Sequence, residues 1–390
     1  MIDYVKDEGV MKITIIGPVY PYKGGISHYT GLMCKNLRER HEVDMITYSL
    51  QYPKILFRKP QKDFDNATFS VEDTQFILNT ANPLSWRKTA ERINKQKPDL
   101  VIVQWWHPYF SPCYTGILRR LLQTKVICVC HNVFPHERFP LDRFLTKRVL
   151  KKGNGFIVHS EQDASDLLSV CPGASFRQTV LPTYDAFRFA EMGREEARSV
   201  LGIAEDARVL LFFGLVRKYK GLQYLLRAMP AIRNEMKDVK LLIVGDFGGD
   251  KDEYLSMIDQ LEISSSVEIF DGYMPDKEVQ KFFAASDLVV LPYVSATQSA
   301  VVQIAYGLER PVLVTKVGGL PEVVSHGKTG YVVSPEDAEA IAEAVSDFYQ
   351  NERAADFETN VRLEAEKYSW KRMRETIENL YQEMCGKNLK

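Results

Sequence analysis

Arg217 and Lys220 stand three positions apart in the loop Gly214-Leu215-Val216-Arg217-Lys218-Tyr219-Lys220-Gly221, which follows an apolar run and precedes a helical pattern. Cations placed there can grip a diphosphate and stabilise charge developing on it as it leaves, without a metal. A second polar loop, Ala296-Thr297-Gln298-Ser299, lies between the apolar run Leu288–Leu291 and a helical segment from about Ala300 to Leu308. In a parallel sheet, loops leaving the carboxyl ends of strands bind ligands, and backbone N–H groups opening the next helix attract anions. Thr297, Gln298, Ser299 and Ala300 are therefore candidates for holding such an anion, the alternative being an ordinary strand-to-helix turn. In the first half, Gly24 and Gly25 precede a helix from about Ser27 to Arg40. Lacking a Cβ, they let backbone approach a ligand closely. His131 follows the strand Lys125–Cys130, where an imidazole can exchange a hydrogen bond with a sugar hydroxyl.

These residues need strands to carry them, and the pattern supplies strands. Short apolar runs at Lys12–Gly17, Val43–Thr47, Asp99–Gln104, Lys125–Cys130 and Gly155–His159 alternate with helical periodicity in the first half. In the second half the runs are Arg208–Gly214, Lys240–Gly245, Val267–Phe270, Leu288–Leu291, one starting at Pro311, and Gly330–Val333. Strand alternating with helix predicts parallel sheets covered on both faces. A chain of 390 residues, 45% of them hydrophobic, is long enough for two such domains. Between the second strand and Pro83 the pattern is less regular, and Arg58, Lys59 and Lys62 beside Phe57 and Phe64 read as an exposed loop. Trp105 and Trp106 follow the strand Asp99–Gln104 and form either a core plug or a platform for a sugar or lipid. With Glu137 they are the acceptor-side candidates. Residues 138–152 read as a basic amphipathic helix, its apolar face packing on the sheet in preference to a membrane.

Several classes of function are disfavoured. The Gly24-Gly25 loop is not the Gly-x-Gly-x-x-Gly dinucleotide fingerprint, so an NAD-dependent oxidoreductase is the least favoured reading. No run of eighteen apolar residues exists, and the stretch before Met11 is acidic and polar, unlike a secretory signal. The six cysteines are scattered, with neither zinc spacing nor the density of a disulfide framework, which predicts reduced thiols, no metal and a cytoplasmic location. Residues 1–190 carry 26 Lys and Arg against 18 Asp and Glu, and the remainder 24 against 33. The basic half suits an anionic partner, either lipid headgroups or a diphosphate-linked acceptor, and peripheral contact with an anionic membrane is one expectation. No nucleic-acid-binding module is recognisable, so a nucleic-acid partner is not expected.

The segment Pro292 to Glu322, with Pro311-Val312 and Gly318-Gly319-Leu320-Pro321-Glu322, resembles the donor half of retaining nucleotide-sugar glycosyltransferases of the family 4 type. So do Lys220-Gly221, Gly245-Asp246 and Gly272-Tyr273-Met274-Pro275, and in the first half the segment FIVHSEQDASDL resembles the corresponding segment of that family. The resemblance implies two doubly wound Rossmann-like α/β domains facing across a cleft, the GT-B arrangement. Residues 1–185 would form the acceptor-side domain, 186–367 the donor domain, and 368–390 a helix returning to the first. It implies catalytic roles for His131 beside the donor sugar and for Arg217 and Lys220 on the diphosphate. Gly24, Gly25, Asp246, Tyr273, Met274, Thr297, Gln298, Ser299, Ala300, Gln303 and Glu322 become donor-binding residues, with Tyr273 and Met274 beside the base. The family's Glu-x7-Glu pair falls on Ala296 and Ile304, leaving Gln303 or Glu322 to hold the ribose.

The implied activity is transfer of a sugar from a UDP- or GDP-sugar to a hydroxyl of a saccharide or polyprenyl-linked acceptor, in glycan synthesis, with retention. The nucleotide sugar is then a substrate and no cofactor or metal is required; the location would be cytoplasmic, peripheral on the inner face of the plasma membrane. A glycosyltransferase-like protein that binds without turnover, and a nucleotide-sugar epimerase, remain as alternatives.

Overall fold

The computed structural model describes residues 9–57, 60–64, 67–135 and 138–386. The chain divides into two compact units, Met1–Thr179 with Trp370–Lys390, and Val180–Ser369. The first unit holds β1 (Lys12–Ile16), β2 (Glu42–Leu50), β3 (Gln75–Asn79), β4 (Leu100–Trp105), β5 (Lys125–Cys130), β6 (Gly155–Val158) and β7 (Phe176–Gln178). They form one sheet in the order β3-β2-β1-β4-β5-β6-β7, every neighbouring pair parallel. Every residue of β4 is buried, as a central strand with helices on both faces requires.

The second unit holds β8 (Arg208–Phe213), β9 (Val239–Gly245), β10 (Val267–Asp271), β11 (Leu288–Leu291), β12 (Val312–Thr315) and β13 (Gly330–Val333). These pair in parallel in the order β10-β9-β8-β11-β12-β13. Each sheet therefore reverses its order once, between β1 and β4 in the first unit and between β8 and β11 in the second. Connections on either side of such a reversal leave toward opposite faces, so the loops at the carboxyl ends part there and leave room for a ligand.

The stretch before Pro83 is more ordered than its composition predicts. Gln75–Asn79 is the outer strand of the first sheet, paired to β2 with register shifts at Thr47/Tyr48 and Tyr48/Leu50. An edge strand has a neighbour on one side only, and here Phe76 and Ile77 keep about 40% of their surface (41% and 37%), which removes the buried run that marks the other strands. The basic helix is Asp142–Leu150, shorter than the sequence pattern. Arg138 lies outside it and pairs with the Asp142 carboxylate instead. Thr146, Val149 and Leu150 are buried, whereas Leu141 and Phe144 are exposed.

The last helix, Trp370–Met384, belongs to the first unit. Its Met373, Ile377 and Leu380 are buried. Glu378 lies 2.9 Å from His41 Nε2, and Arg374 donates to the Asn36 carbonyl at 3.0 Å. The same helix packs on Gly155 in β6: a Cβ there would stand 2.7 Å from Met384 Sδ. No helix among the described residues is long and apolar enough to cross a membrane.

Candidate functional site

In the second unit the loops leaving β8 and β11 are built against one another. Gly221 has φ +71°, and a Cβ on it would lie 1.8 Å from the Pro292 carbonyl oxygen, so both the backbone conformation and the contact require glycine. Val294 N–H donates to the Tyr219 carbonyl at 2.8 Å. Against this seam the Lys220 ammonium sits 3.7 Å from the centroid of the Tyr293 ring and 5.3 Å from that of Tyr219. Tyr293 is fully buried, its hydroxyl 3.2 Å from Ser299 Oγ and its carbonyl accepting from Thr315 Oγ1 at 2.5 Å. Lys220 makes no ion pair with any described residue.

Ser299 opens the helix Ala300–Gly307, which has no acidic residue in its first turn and no side-chain cap. Its amide end is thus left for an anion. Behind the loop, Gly318 at φ +48° would place a Cβ 1.8 Å from the Ala296 carbonyl, and Gly319 N–H donates to the Thr297 carbonyl at 2.9 Å. The structure therefore brings Lys220, Tyr293, Thr297 and Ser299 together on one framework, and the two glycines fix its back wall. Glu322 follows on a short helix and is exposed.

Arg217 takes a different side. Its Nη1 donates to the Val216 carbonyl at 2.7 Å and the Asp246 carbonyl at 3.3 Å, which lays the guanidinium along the loop after β9. Gly248 leaves room for it, since a Cβ there would be 2.9 Å from Nη1. Asp246 Oδ1 accepts from the Gly248 N–H at 2.7 Å and so shapes that loop. Tyr273, 39% exposed, donates its hydroxyl to Asp276 Oδ1 at 3.4 Å, and Met274 beside it is half-buried.

Gln303 does not stand on the loop surface. It is fully enclosed, its carbonyl accepts from Tyr184 N–H at 3.2 Å, and neither atom of its side-chain amide has a hydrogen-bond partner. Gly307, one turn further on the same helix face, packs directly on Tyr184 and Asp185. Ala296 and Ile304, where the resemblance places glutamates, are both buried.

In the first unit His131 follows β5. Its Nε2 is 2.7 Å from Gln104 Oε1, and Gln104 is itself fully buried with its Nε2 3.9 Å from Met33 Sδ. That arrangement assigns the imidazole proton to Nε2, donated to the amide oxygen, and leaves Nδ1 as an acceptor. The Tyr29 ring meets His131 edge-on at 4.6 Å, and His159 lies 5.8 Å away. Burial, and then the neighbouring His159, hold His131 well below the ordinary histidine range, so it is neutral at physiological pH. His159, at the end of β6, donates Nδ1–H to the Thr179 carbonyl at 2.8 Å, and burial brings it down to about 4. Tyr29 also contacts Trp370 at 5.1 Å, which ties the histidine pair to the last helix.

Gly24 caps the helix Gly25–Arg38 at φ +106°, and a Cβ there would meet nothing. Its glycine is required by conformation alone. Trp105 is a correction: it is fully buried in the core of the first sheet, its indole N–H donating to the Val133 carbonyl at 3.2 Å, so its ring offers no face to a ligand. Trp106 is half-buried, packed on Phe110 at 4.1 Å, with its indole 3.3 Å from the Tyr52 hydroxyl. Glu137 lies outside the described residues. Tyr293, Gln104, His159 and Tyr29 were missed from the sequence. His159 was detectable by the rule that singled out His131, a histidine at a strand's carboxyl end; the others have no such signal.

The sequence matches the family described as Glycosyltransferase Family 4 over residues 23–183 and Glycosyl transferases group 1 over 207–351. The two matches together take in well over half of the chain. The chain belongs to glycosyltransferase family 4. Among its relatives is an uncharacterized glycosyltransferase of Methanocaldococcus jannaschii, 32% identical over 49% of each chain, so the match spans about half of that protein's length. A D-inositol 3-phosphate glycosyltransferase of Corynebacterium glutamicum is 27% identical, over 79% of this chain and 77% of its own. Anabaena Alr3699/HepE, solved in complex with UDP-glucose, superposes with a TM-score of 0.72 at 17% identity, over 96% of this chain and 98% of that one. At that identity the likeness shows the GT-B fold alone.

Proposed function

We propose that this family 4 chain transfers a sugar from a nucleotide diphosphate sugar, UDP- or GDP-linked, to a hydroxyl of a saccharide or lipid-linked acceptor, with retention at the anomeric carbon. The observation that carries the proposal is Lys220. Its ammonium is oriented by the face of a buried tyrosine rather than by a carboxylate, beside an uncapped helix amino end at the point where the sheet order reverses. An aromatic ring orders a lysine without neutralising it, so the full charge is kept for a diphosphate. That charge, with the amides near Thr297–Ser299, would stabilise the leaving group as the glycosidic bond breaks. Arg217 would contribute from the β9 side, and Tyr273 with Met274 would flank the base.

His131, neutral and donating through Nε2 to Gln104, offers Nδ1 as the acceptor for a sugar hydroxyl. The two relatives that carry a donor or an acceptor in their names, one solved with UDP-glucose and one named for D-inositol 3-phosphate, are in keeping with this reading. Exposed Leu141, capping the helix that carries Arg143, Lys147 and Arg148, and exposed Phe144 on it support contact with an anionic membrane. Sedimentation with anionic liposomes at low salt measures that contact, and a chain left in the supernatant removes it.

The test is a hydrolysis and transfer screen over UDP-, GDP- and ADP-sugars with wild type, Lys220→Ala and His131→Ala. One donor should turn over, and Lys220→Ala should lower kcat about 100-fold or more. The second reading, binding without turnover, is favoured by the buried, apolar Ala296 and Ile304. It prevails if nucleotide binds and no donor is consumed.

A further inference from the structure

The first unit contains a cavity of about 450 Å³ that none of the assignments above uses. Its walls are Tyr20, Pro21, Phe64, Val71 and Phe76 with the small polar Ser70 and Thr74, and its one charged side chain is Lys62. It is built on the loop leaving β1, one of the two strands flanking the order reversal, and on the outer strand β3. Backbone bonds lock the lysine segment onto that loop: Lys23 N–H donates to the Gln61 carbonyl at 3.0 Å, Asp63 N–H to the Pro21 carbonyl at 2.8 Å, and Tyr22 bridges Lys62. Tyr20 adds a side-chain tie, its hydroxyl donating to the Phe64 carbonyl at 3.0 Å.

Within this frame the Lys62 ammonium lies 4.8 Å from the Tyr22 ring centroid and 5.7 Å from that of Phe76, and it pairs with no carboxylate of any described residue. Phe64 and Phe76 are 70% and 41% exposed. A lysine held between rings and left without a counter-charge, with two exposed aromatic walls beside it, suits a ligand that joins an anion to a carbon skeleton. The cavity volume fits one sugar or polyol bearing one phosphate.

We propose that this cavity is an acceptor subsite for an organic phosphate, the phosphate on Lys62 and the carbon skeleton against Phe64 and Phe76. The proposal deepens the transferase reading and rests on it for the word acceptor; the binding itself does not. The phosphate belongs either to a soluble sugar or polyol phosphate or to a lipid headgroup, and two probes separate these sources.

The experiment is calorimetric titration of the full chain, as wild type, Lys62→Ala and Lys62→Arg, with glucose 6-phosphate against glucose, and flotation with phosphatidylglycerol vesicles against phosphatidylcholine. Binding of glucose 6-phosphate or phosphatidylglycerol, weakened tenfold or more by Lys62→Ala and largely kept by Lys62→Arg, supports the subsite and names its source. Phe76→Ala, at a partly exposed edge position, should weaken the same binding at a modest cost in stability that leaves the chain folded. Binding of neither phosphate probe, or equal binding by wild type and Lys62→Ala, overturns it. UDP titrated into the same proteins keeps the two readings apart: loss of UDP binding in wild type sinks the donor reading, while phosphate binding through Lys62 still upholds the subsite.

Discussion

Substituting His159 by asparagine should flatten the acid side of the stability curve of the first unit. The neutral ring donates Nδ1–H to the Thr179 carbonyl, and burial lowers its titration to about 4. The unfolded chain protonates a histidine near 6.5, so below that value the unfolded state binds more protons than the folded one. Stability is therefore present in full above about pH 6.5 and falls as pH drops toward 4. Linkage gives a loss of about 2 kcal/mol at pH 5 and about 3 kcal/mol once both states are protonated. Asparagine places an N–H near the position of Nδ1 and does not titrate, so this slope disappears while a pH-independent loss from the missing ring remains.

Trp86, Trp105, Trp106 and Trp370 all belong to the first unit, so tryptophan fluorescence in urea reports on it selectively. At a urea slope of about 2 kcal/mol per molar, the wild-type midpoint should fall by about 1 M more than that of the variant between pH 7.5 and 5. Carboxylates, and the neighbouring buried His131, titrate in both proteins and to first order cancel in the difference. Parallel curves for the two proteins over that range would refute the reasoning.

Two further substitutions address the donor cradle. Gly318→Ala places a Cβ at φ +48° and 1.8 Å from the Ala296 carbonyl, so the loop that carries Thr297 must move. UDP should bind at least tenfold more weakly by calorimetry, and unchanged affinity would show that this wall does not shape the site. Tyr293→Leu removes both the ring under the half-buried Lys220, worth about 1 kcal/mol, and the hydroxyl contact with Ser299, worth about 1 kcal/mol more, together about 30-fold in nucleotide affinity. Tyr293→Phe keeps the ring and loses only the contact with Ser299, about 1 kcal/mol or fivefold; equal losses for the two variants would mean the ring does not order the lysine.

The alternation of apolar runs with helical pattern was enough to read two parallel-sheet units, because a strand buried on both faces is written as a continuous run of Val, Ile and Leu. It failed at Gln75–Asn79, where an edge strand is half exposed and has no such run. Lys220, Gly221, Gly318 and His131 were legible for the same local reason: strand ends and turns restrict residue type through backbone conformation and anion affinity, both of which act within a few residues. Tyr293 under Lys220, Gln104 beneath His131 and His159 beside it were decided by the tertiary structure. Each pair is separated by 27 residues or more. Packing and desolvation, which set these contacts, depend on which strand lies next to which. Gln303 and Trp105 show the reverse case, polar or aromatic residues near a strand end or helix start that the sequence offers to a ligand and the core encloses. Composition and spacing state what a side chain is able to do, and only the strand order decides whether it faces solvent, a partner or the interior.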